Sequence, residues 1–152
     1  MAIYTAQIMP PQKLKNLLED FWSTLEGHVP IPNIVVINSD EELRQLIGRK
    51  DLLAIRTDSG GEKETLRNAW AYKDVRWDVL IEIWTMENRQ RLYDILLVIR
   101  GICHSKVHSS SETGFQVLKY VGFVELTTDL KNVWVGNIRV SLESSGVALD
   151  TI

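Results

Sequence analysis

Residues 75–103, VRWDVLIEIWTMENRQRLYDILLVIRGIC, decide the fold of this 152-residue chain. Apolar and polar residues alternate from Val75 to Trp84, which is the period of a half-buried β-strand. After Thr85, a residue suited to cap a helix, apolar residues recur every three or four positions, as on the buried face of a helix. This apolar stripe consists of Leu92, Ile95, Leu96, Ile99, Ile102 and Cys103. We therefore expect a long strand that leads directly into a helix lying across the sheet.

The segments before this unit predict further helices and strands. Pro10 and Pro11 suit a first helical turn, and the spacing that follows predicts a helix over 11–26. A short strand is expected at 34–37, and Ser39 with Glu42 forms a capping box for a brief helix over 40–48. A second short strand is expected at 52–56.

Two polar segments are predicted to be exposed loops. Residues 58–64 combine the pair Gly60 and Gly61 with a high density of charged residues. This predicted loop is the first candidate for a functional surface. Residues 105–114 are serine-rich and lack periodicity, so they predict a second loop.

The carboxy-terminal part predicts a hairpin. Residues 115–126 and 133–142 read as strands, and the turn-like stretch 127–132 favours antiparallel pairing between them. The whole is predicted to be an α+β domain over residues 1–143, with a mixed or antiparallel sheet, an amino-terminal helix and a long helix on one face. Residues 144–152 are expected to form a flexible tail.

Composition restricts the classes of function. Apolar residues make up 45% of the chain and charged residues 24%, which is typical of a globular domain. The net charge of −3 argues against a surface that neutralises nucleic-acid phosphates. The start of the chain does not resemble a signal peptide, and the longest apolar run, 95–99, is far short of the roughly 20 residues of a membrane span. We therefore expect a cytoplasmic origin and no membrane insertion.

The predicted strand at 115–126 carries apolar side chains on both faces, and Trp84 lies on the polar face of its own strand. One layer of helix covers only one face of a sheet. Either another helix or a neighbouring subunit must cover the second face, because large exposed apolar patches mark interfaces. The second interpretation predicts an oligomer.

Candidate chemical motifs are weak. Asp78 and Glu82 share a face and invite comparison with the carboxylates of divalent-metal nucleases, but Trp84 occupies the position at which that pattern requires lysine. His104 and His108 have the spacing of a metal pair, but no third ligand is close in the sequence. Cys103 next to His104 suggests a nucleophile and base, yet Cys103 falls on the buried stripe. No motif predicts catalysis, a metal site or a cofactor.

The stretch from Ala71 to Leu142 resembles the second half of the tail-terminator or tail-completion proteins of tailed phages and tailed archaeal viruses. The resemblance is one of layout: VRWDVLIEIWT leads into MENRQRLYDILLVIRGICHS, and two strands follow, GFQVLKYVGFVEL and KNVWVGNIRVSLE. An amino-terminal helix precedes the sheet in that family, as residues 11–26 are expected to do here. The short helix over 40–48 departs from the family's simplest form.

This resemblance implies a structural virion protein without catalytic activity. Copies would form a ring, usually of six, that terminates the tail tube and joins it to the connector, first in the host cytoplasm and then in the virion neck. An acidic protein suits a lumen through which DNA passes without specific binding. The candidate assembly or lumen-facing residues are Asp78, Glu82, Trp84, Trp70, Gly60 and Gly61. Two other classes stay open: a cytoplasmic adaptor or regulatory protein-binding module, and a divalent-metal nuclease.

Overall fold

The computed structural model describes residues 9–46, 51–67 and 72–148. Its centre is a five-stranded mixed sheet in the order β1-β2-β3-β5-β4. The strands are β1 (Asn33–Val36), β2 (Leu52–Arg67), β3 (Tyr72–Thr85), β4 (Val117–Leu126) and β5 (Trp134–Ala148). The helices are α1 (Pro10–Phe21), α2 (Asp40–Leu46), α3 (Arg89–Ser105) and α4 (Ser110–Thr113). The α+β class, the amino-terminal helix and the antiparallel pair of final strands are confirmed.

The middle strand, β3, has the alternation that the sequence predicts. Val79, Ile81 and Ile83 are completely buried, and Val75 and Trp77 lie on the same side. α1 and α3 pack on this face, which we call the covered face, with all six residues of the predicted α3 stripe buried against it. Burial of this face is the largest hydrophobic contribution to the fold.

The opposite face has its own small apolar cluster under α2. The α2 segment connects β1 to β2, which run parallel, so a crossover connection is required. Leu43 packs with Ile37, Leu52 and Ala54, and the partly buried Trp84 lies against them. The predicted capping box is present in part: Ser39 Oγ accepts from the Glu42 N–H at 3.3 Å, but the Glu42 carboxylate accepts from the N–H of residue 38.

The predicted start of α3 is corrected by three residues. Asn88, not Thr85, caps the helix, because its side chain accepts from the Arg91 N–H at 2.8 Å. Thr85 instead donates to Asp51 Oδ1 at 2.7 Å, and Arg91 donates from Nε to Asp51 Oδ2 at 2.6 Å. This junction ties the start of α3 to the start of β2.

Two predicted boundaries are wrong because strand pairing continues past them. The expected loop at 58–64 belongs to β2, which pairs antiparallel with β3 on both sides of an irregularity between Thr57 and Glu62. The expected tail at 144–152 begins inside β5, whose pairing with β3 reaches Ala148. Glycine and charge in these segments suggested loops. Residues 62–64, 144, 147 and 148 nevertheless pair with β3, whereas 58–61, which include the two glycines, lie in the irregularity and have no partner on β3.

The alternation predicted for 115–126 is shifted by a β-bulge. Tyr120 pairs with Val140 and Gly122 with Arg139, so Val121 is an extra residue without a partner on β5. Leu118 and Tyr120 therefore share the covered face with Phe123, whereas Val124 lies on the other face. The expected loop at 105–114 also contains a short helix, α4. None of the helices in the described ranges has the length and apolarity needed to cross a membrane.

Gly136 on β5 leaves space for the ring of Phe123, which also packs edge-on against Tyr93. A Cβ at position 136 would overlap the ring carbons Cε2 and Cζ of Phe123. We expect Gly136→Ala to lower the free energy of unfolding by about 1–3 kcal/mol through overpacking. Urea denaturation followed by circular dichroism measures this change. The matched control is Gly122→Ala, since a Cβ there meets no atom within 4 Å; equal losses for both variants would contradict the packing argument.

Candidate functional site

Of the described helices, α2 alone lies on the sheet face opposite α1 and α3, which we call the open face, and it covers one end of that face. Beyond α2 it is occupied by pairs of opposite charge. Among the described residues these are Arg56 with Asp40 and Glu82, Lys63 and Arg76 with Asp78, Lys119 with Glu143, and Arg139 with Asp58. The acidic groups of this face are therefore matched by basic groups along the strands.

Asp78 and Glu82 lie on the open face, as predicted, but they do not converge. They stand four residues apart on β3, which separates their Cα atoms by about 13 Å. Lys63 Nζ lies 2.9 Å from Asp78, whereas Arg56 Nη2 lies 2.6 Å from Glu82. The Glu82 side chain is only 8% exposed and Asp78 is 24% exposed. Of the two expected lumen-facing carboxylates, only Asp78 is accessible in the isolated chain.

Arg56 is the cation that organises the covered end of the open face. Its Nη1 donates to Asp40 at 2.6 Å at the start of α2, while its Nη2 donates to Glu82 on β3. The hydrogen bond from Arg56 lowers the pKa of Asp40. The guanidinium thus joins α2, β2 and β3 through charge-assisted hydrogen bonds.

Three buried polar atoms on the open face have no hydrogen-bond partner within the described residues. They are Glu82 Oε2, Trp84 Nε1 and Asn137 Oδ1. Glu82 pairs with Asn137 across β3 and β5, and Asn137 pairs with Val124 across β5 and β4. Unpaired buried polar atoms are costly, so the middle of this face has unused hydrogen-bonding capacity. Trp84, predicted as a contact residue, is half-buried against the α2 cluster within the chain.

The β4 margin of the sheet carries an exposed apolar strip. Val121 is 62% exposed, Val124 58% and Leu126 41%, and Leu130 follows in the next turn at 55%. At the start of β4 the outward-pointing N–H of Leu118 already has a partner, since it donates to the carbonyl of Val107 at 2.9 Å. The strip lies on the part that Val107 does not reach.

An ion pair and hydrogen bonds connect the end of β4 to α3. Arg89 Nε and Nη2 donate to the two oxygens of Glu125 at 2.9 and 2.8 Å, and the Tyr93 hydroxyl donates to Oε2 at 2.7 Å. The hydrogen bonds from Arg89 hold the pKa of Glu125 below its usual value. A bidentate pair of this kind fixes the direction of the strand as well as its distance from the helix.

The structure places the other candidate residues from the sequence analysis in different environments. Gly60 and Gly61 lie within β2 and not in a loop. Trp70 lies outside the described residues. Cys103 is buried beneath the sheet, and burial raises the pKa of its thiol to about 12. His104 is exposed with its ring edge-on to Tyr120, and α3 ends at Ser105 before His108.

Sequence reasoning missed the groups that organise the open face and the β4 margin. Arg56, Arg139 and Val107 each contact a residue at least 11 positions away in the sequence. The periodicity of a segment indicates which of its residues are buried, but not which residues elsewhere in the sequence they contact. The pattern that was available, apolar residues on both faces of 115–126, did point to the exposed strip.

Within the described ranges, no three His, Cys, Asp or Glu side chains are grouped so that they could hold a metal ion. No protein-family model matches the chain, and no curated protein matches it either.

The Arg56–Glu82 pair allows a test of the open-face network. Arg56→Met leaves the Glu82 carboxylate buried without its cation, and we expect a loss of at least about 2 kcal/mol in the free energy of unfolding. Lys119→Met is the control, because Lys119 is 57% exposed and its pair with Glu143 should contribute less than about 1 kcal/mol. Urea denaturation of both variants measures the difference. A loss no larger for Arg56→Met than for Lys119→Met would show that Arg56 does not stabilise the buried carboxylate.

Cys103 provides a second test, of core burial. Because its pKa is raised to about 12, the thiol is protonated at pH 8 and the thiolate is essentially absent. We expect a thiol-reactive dye to label the native protein very slowly and the urea-unfolded protein rapidly. Rapid labelling of the native protein at pH 8 would contradict the packing of α3 on the sheet.

Proposed function

We propose that the chain is a structural subunit of a homo-oligomeric ring, the tail-terminator or tail-completion ring in the neck of a tailed virus. In this role it joins the tail tube to the connector, assembling in the host cytoplasm and ending in the virion. The observation that carries the proposal is the uneven cover of the sheet, with two helices on one face and an exposed apolar strip along the β4 margin.

The order of elements agrees with the layout of that family. The long strand β3 leads into α3 after three residues, and β4 and β5 then pair antiparallel, with α1 preceding the sheet. The crossover helix α2 is the part that departs from the family's simplest form, and it covers the open face at one end only. This departure leaves the rest of the open face accessible to a neighbour.

The charge distribution suits a ring that DNA crosses. Binding to DNA depends mainly on unpaired Lys and Arg groups that displace counterions from phosphates. Among the side chains that the structure describes on the open face, the basic groups of Arg56, Lys63, Arg76, Lys119 and Arg139 all have carboxylate partners. Together with the net charge of −3, this pairing favours passage of DNA without specific binding.

Light scattering after size-exclusion chromatography, over a wide concentration series, tests the proposal. We expect a species of about six times the chain mass of 17.4 kDa, or a monomer that converts to it on concentration. Negative-stain images of that species should show rings with a central hole. A monomer at every concentration, which also fails to bind tail tubes, would contradict the ring and favour the protein-binding module.

A further inference from the structure

We propose that neighbouring copies in the ring are joined by strand pairing, with the β4 margin of one copy against the outer margin of β2 in the next. The occupant of the exposed strip is thus a second copy of this chain. The inference rests on the proposed ring, and it adds which surfaces meet.

The first step concerns the backbone of β4. The Leu118 N–H points away from β5, since it donates to Val107. N–H and C=O groups alternate along a strand, and the bulge at Val121 shifts the alternation by one residue. The backbone groups of Tyr120, Phe123 and Glu125 therefore also point away from β5. Among the described residues no strand lies beyond them, because β4 ends the sheet.

The second step concerns the other side of the sheet. β1 pairs with β2 only from Leu52 to Ile55, but β2 continues to Arg67. Residues 62–67 pair with β3 on one side, and no described strand pairs with their other side. β1 itself is a poor docking edge, since it has four residues and follows Pro30 and Pro32. In the described part of the chain, one copy thus presents two unpaired margins on opposite sides of its sheet.

The third step concerns the relative direction of the two strands that would meet. β2 is antiparallel to β3, β3 to β5 and β5 to β4, so β4 runs opposite to β2. If successive copies turn the same face toward the ring axis, β4 of one copy meets β2 of the next in the antiparallel orientation. Contacts between two different margins are head-to-tail, and such contacts close into rings when the rotation between copies permits. The open part of β4 and residues 62–67 are offset along the strands, which tilts the strands relative to the axis.

The side chains of the margin agree with a buried contact. Val121, Val124 and Leu126 are exposed in the isolated chain, where an edge strand is normally protected by charge. The Arg89–Glu125 pair holds the end of this strand in place before any neighbour binds. A fixed edge loses little conformational entropy when it binds a second strand.

A charge placed on the margin tests the contact. We expect Val124→Asp to abolish the ring and leave a folded monomer, because a carboxylate would be buried at the junction. The control is Leu97→Asp, which places the same charge at a similarly exposed aliphatic position, 50% exposed, on α3 and not on a strand of the sheet. Light scattering gives the mass of each variant, and circular dichroism verifies that both are folded.

The outcomes separate the two proposals. Loss of the ring in Val124→Asp alone supports the margin contact. A ring that persists in Val124→Asp overturns the contact but leaves the proposed function standing. A wild-type protein that never forms a ring, alone or on tail tubes, defeats the proposed function itself.

Cross-linking identifies the partner surface. Val124→Cys would carry the accessible thiol, since Cys103 is buried, and a short thiol-to-amine linker attached there should react with Lys63 of the next copy. Within one copy the two residues are about 14 Å apart across the strands and about 20 Å apart along them, which a short linker does not span. We expect covalent oligomers up to the ring size, lost when Lys63→Arg is added. A direct disulfide dimer of Val124→Cys, with no link to Lys63, would overturn head-to-tail pairing in favour of a two-fold contact.

Discussion

Burial of one face of β3 beneath α3 is the constraint on which the rest of this structure depends. The strand is hydrogen-bonded on both sides along nearly its whole length, so its alternation fixes the face of every residue that pairs with it. The helix follows after three residues and returns across the same face. α1 then completes the cover, and the opposite face is left to α2 and to charge pairs.

The open face combines two properties. Its described charges are paired, yet its β4 side ends in exposed valine and leucine. Among the buried polar atoms without a partner in the described residues, those of Glu82 and Asn137 lie in the row that leads to Val124, and that of Trp84 lies in the row that leads to Leu126. A surface of this kind suits an assembly in which neighbouring copies complete the sheet.

Some parts of the sheet margins are protected from pairing with another strand and other parts are not. The proposed assembly depends on the unprotected parts. Val107 closes the start of β4 through one hydrogen bond, and two prolines precede the short β1. The remaining stretches on β4 and β2 have no such protection among the described residues. Since they lie on opposite sides of the sheet, one copy is complementary to the next rather than to itself.

The sequence by itself determined β3, α3 and the class of the fold. Hydrophobic periodicity is a local property of a segment, and burying the apolar face of that segment stabilises the helix or strand that the periodicity predicts. It also indicated that 115–126 is apolar on both faces. Only the tertiary structure decided that 58–64 belongs to a strand, that β5 runs to Ala148 and that a bulge at Val121 turns Val124 outward. Each of these features depends on how the segment pairs with another strand. The stabilisation that comes from strand pairing cannot be inferred from the amino-acid composition of the segment itself.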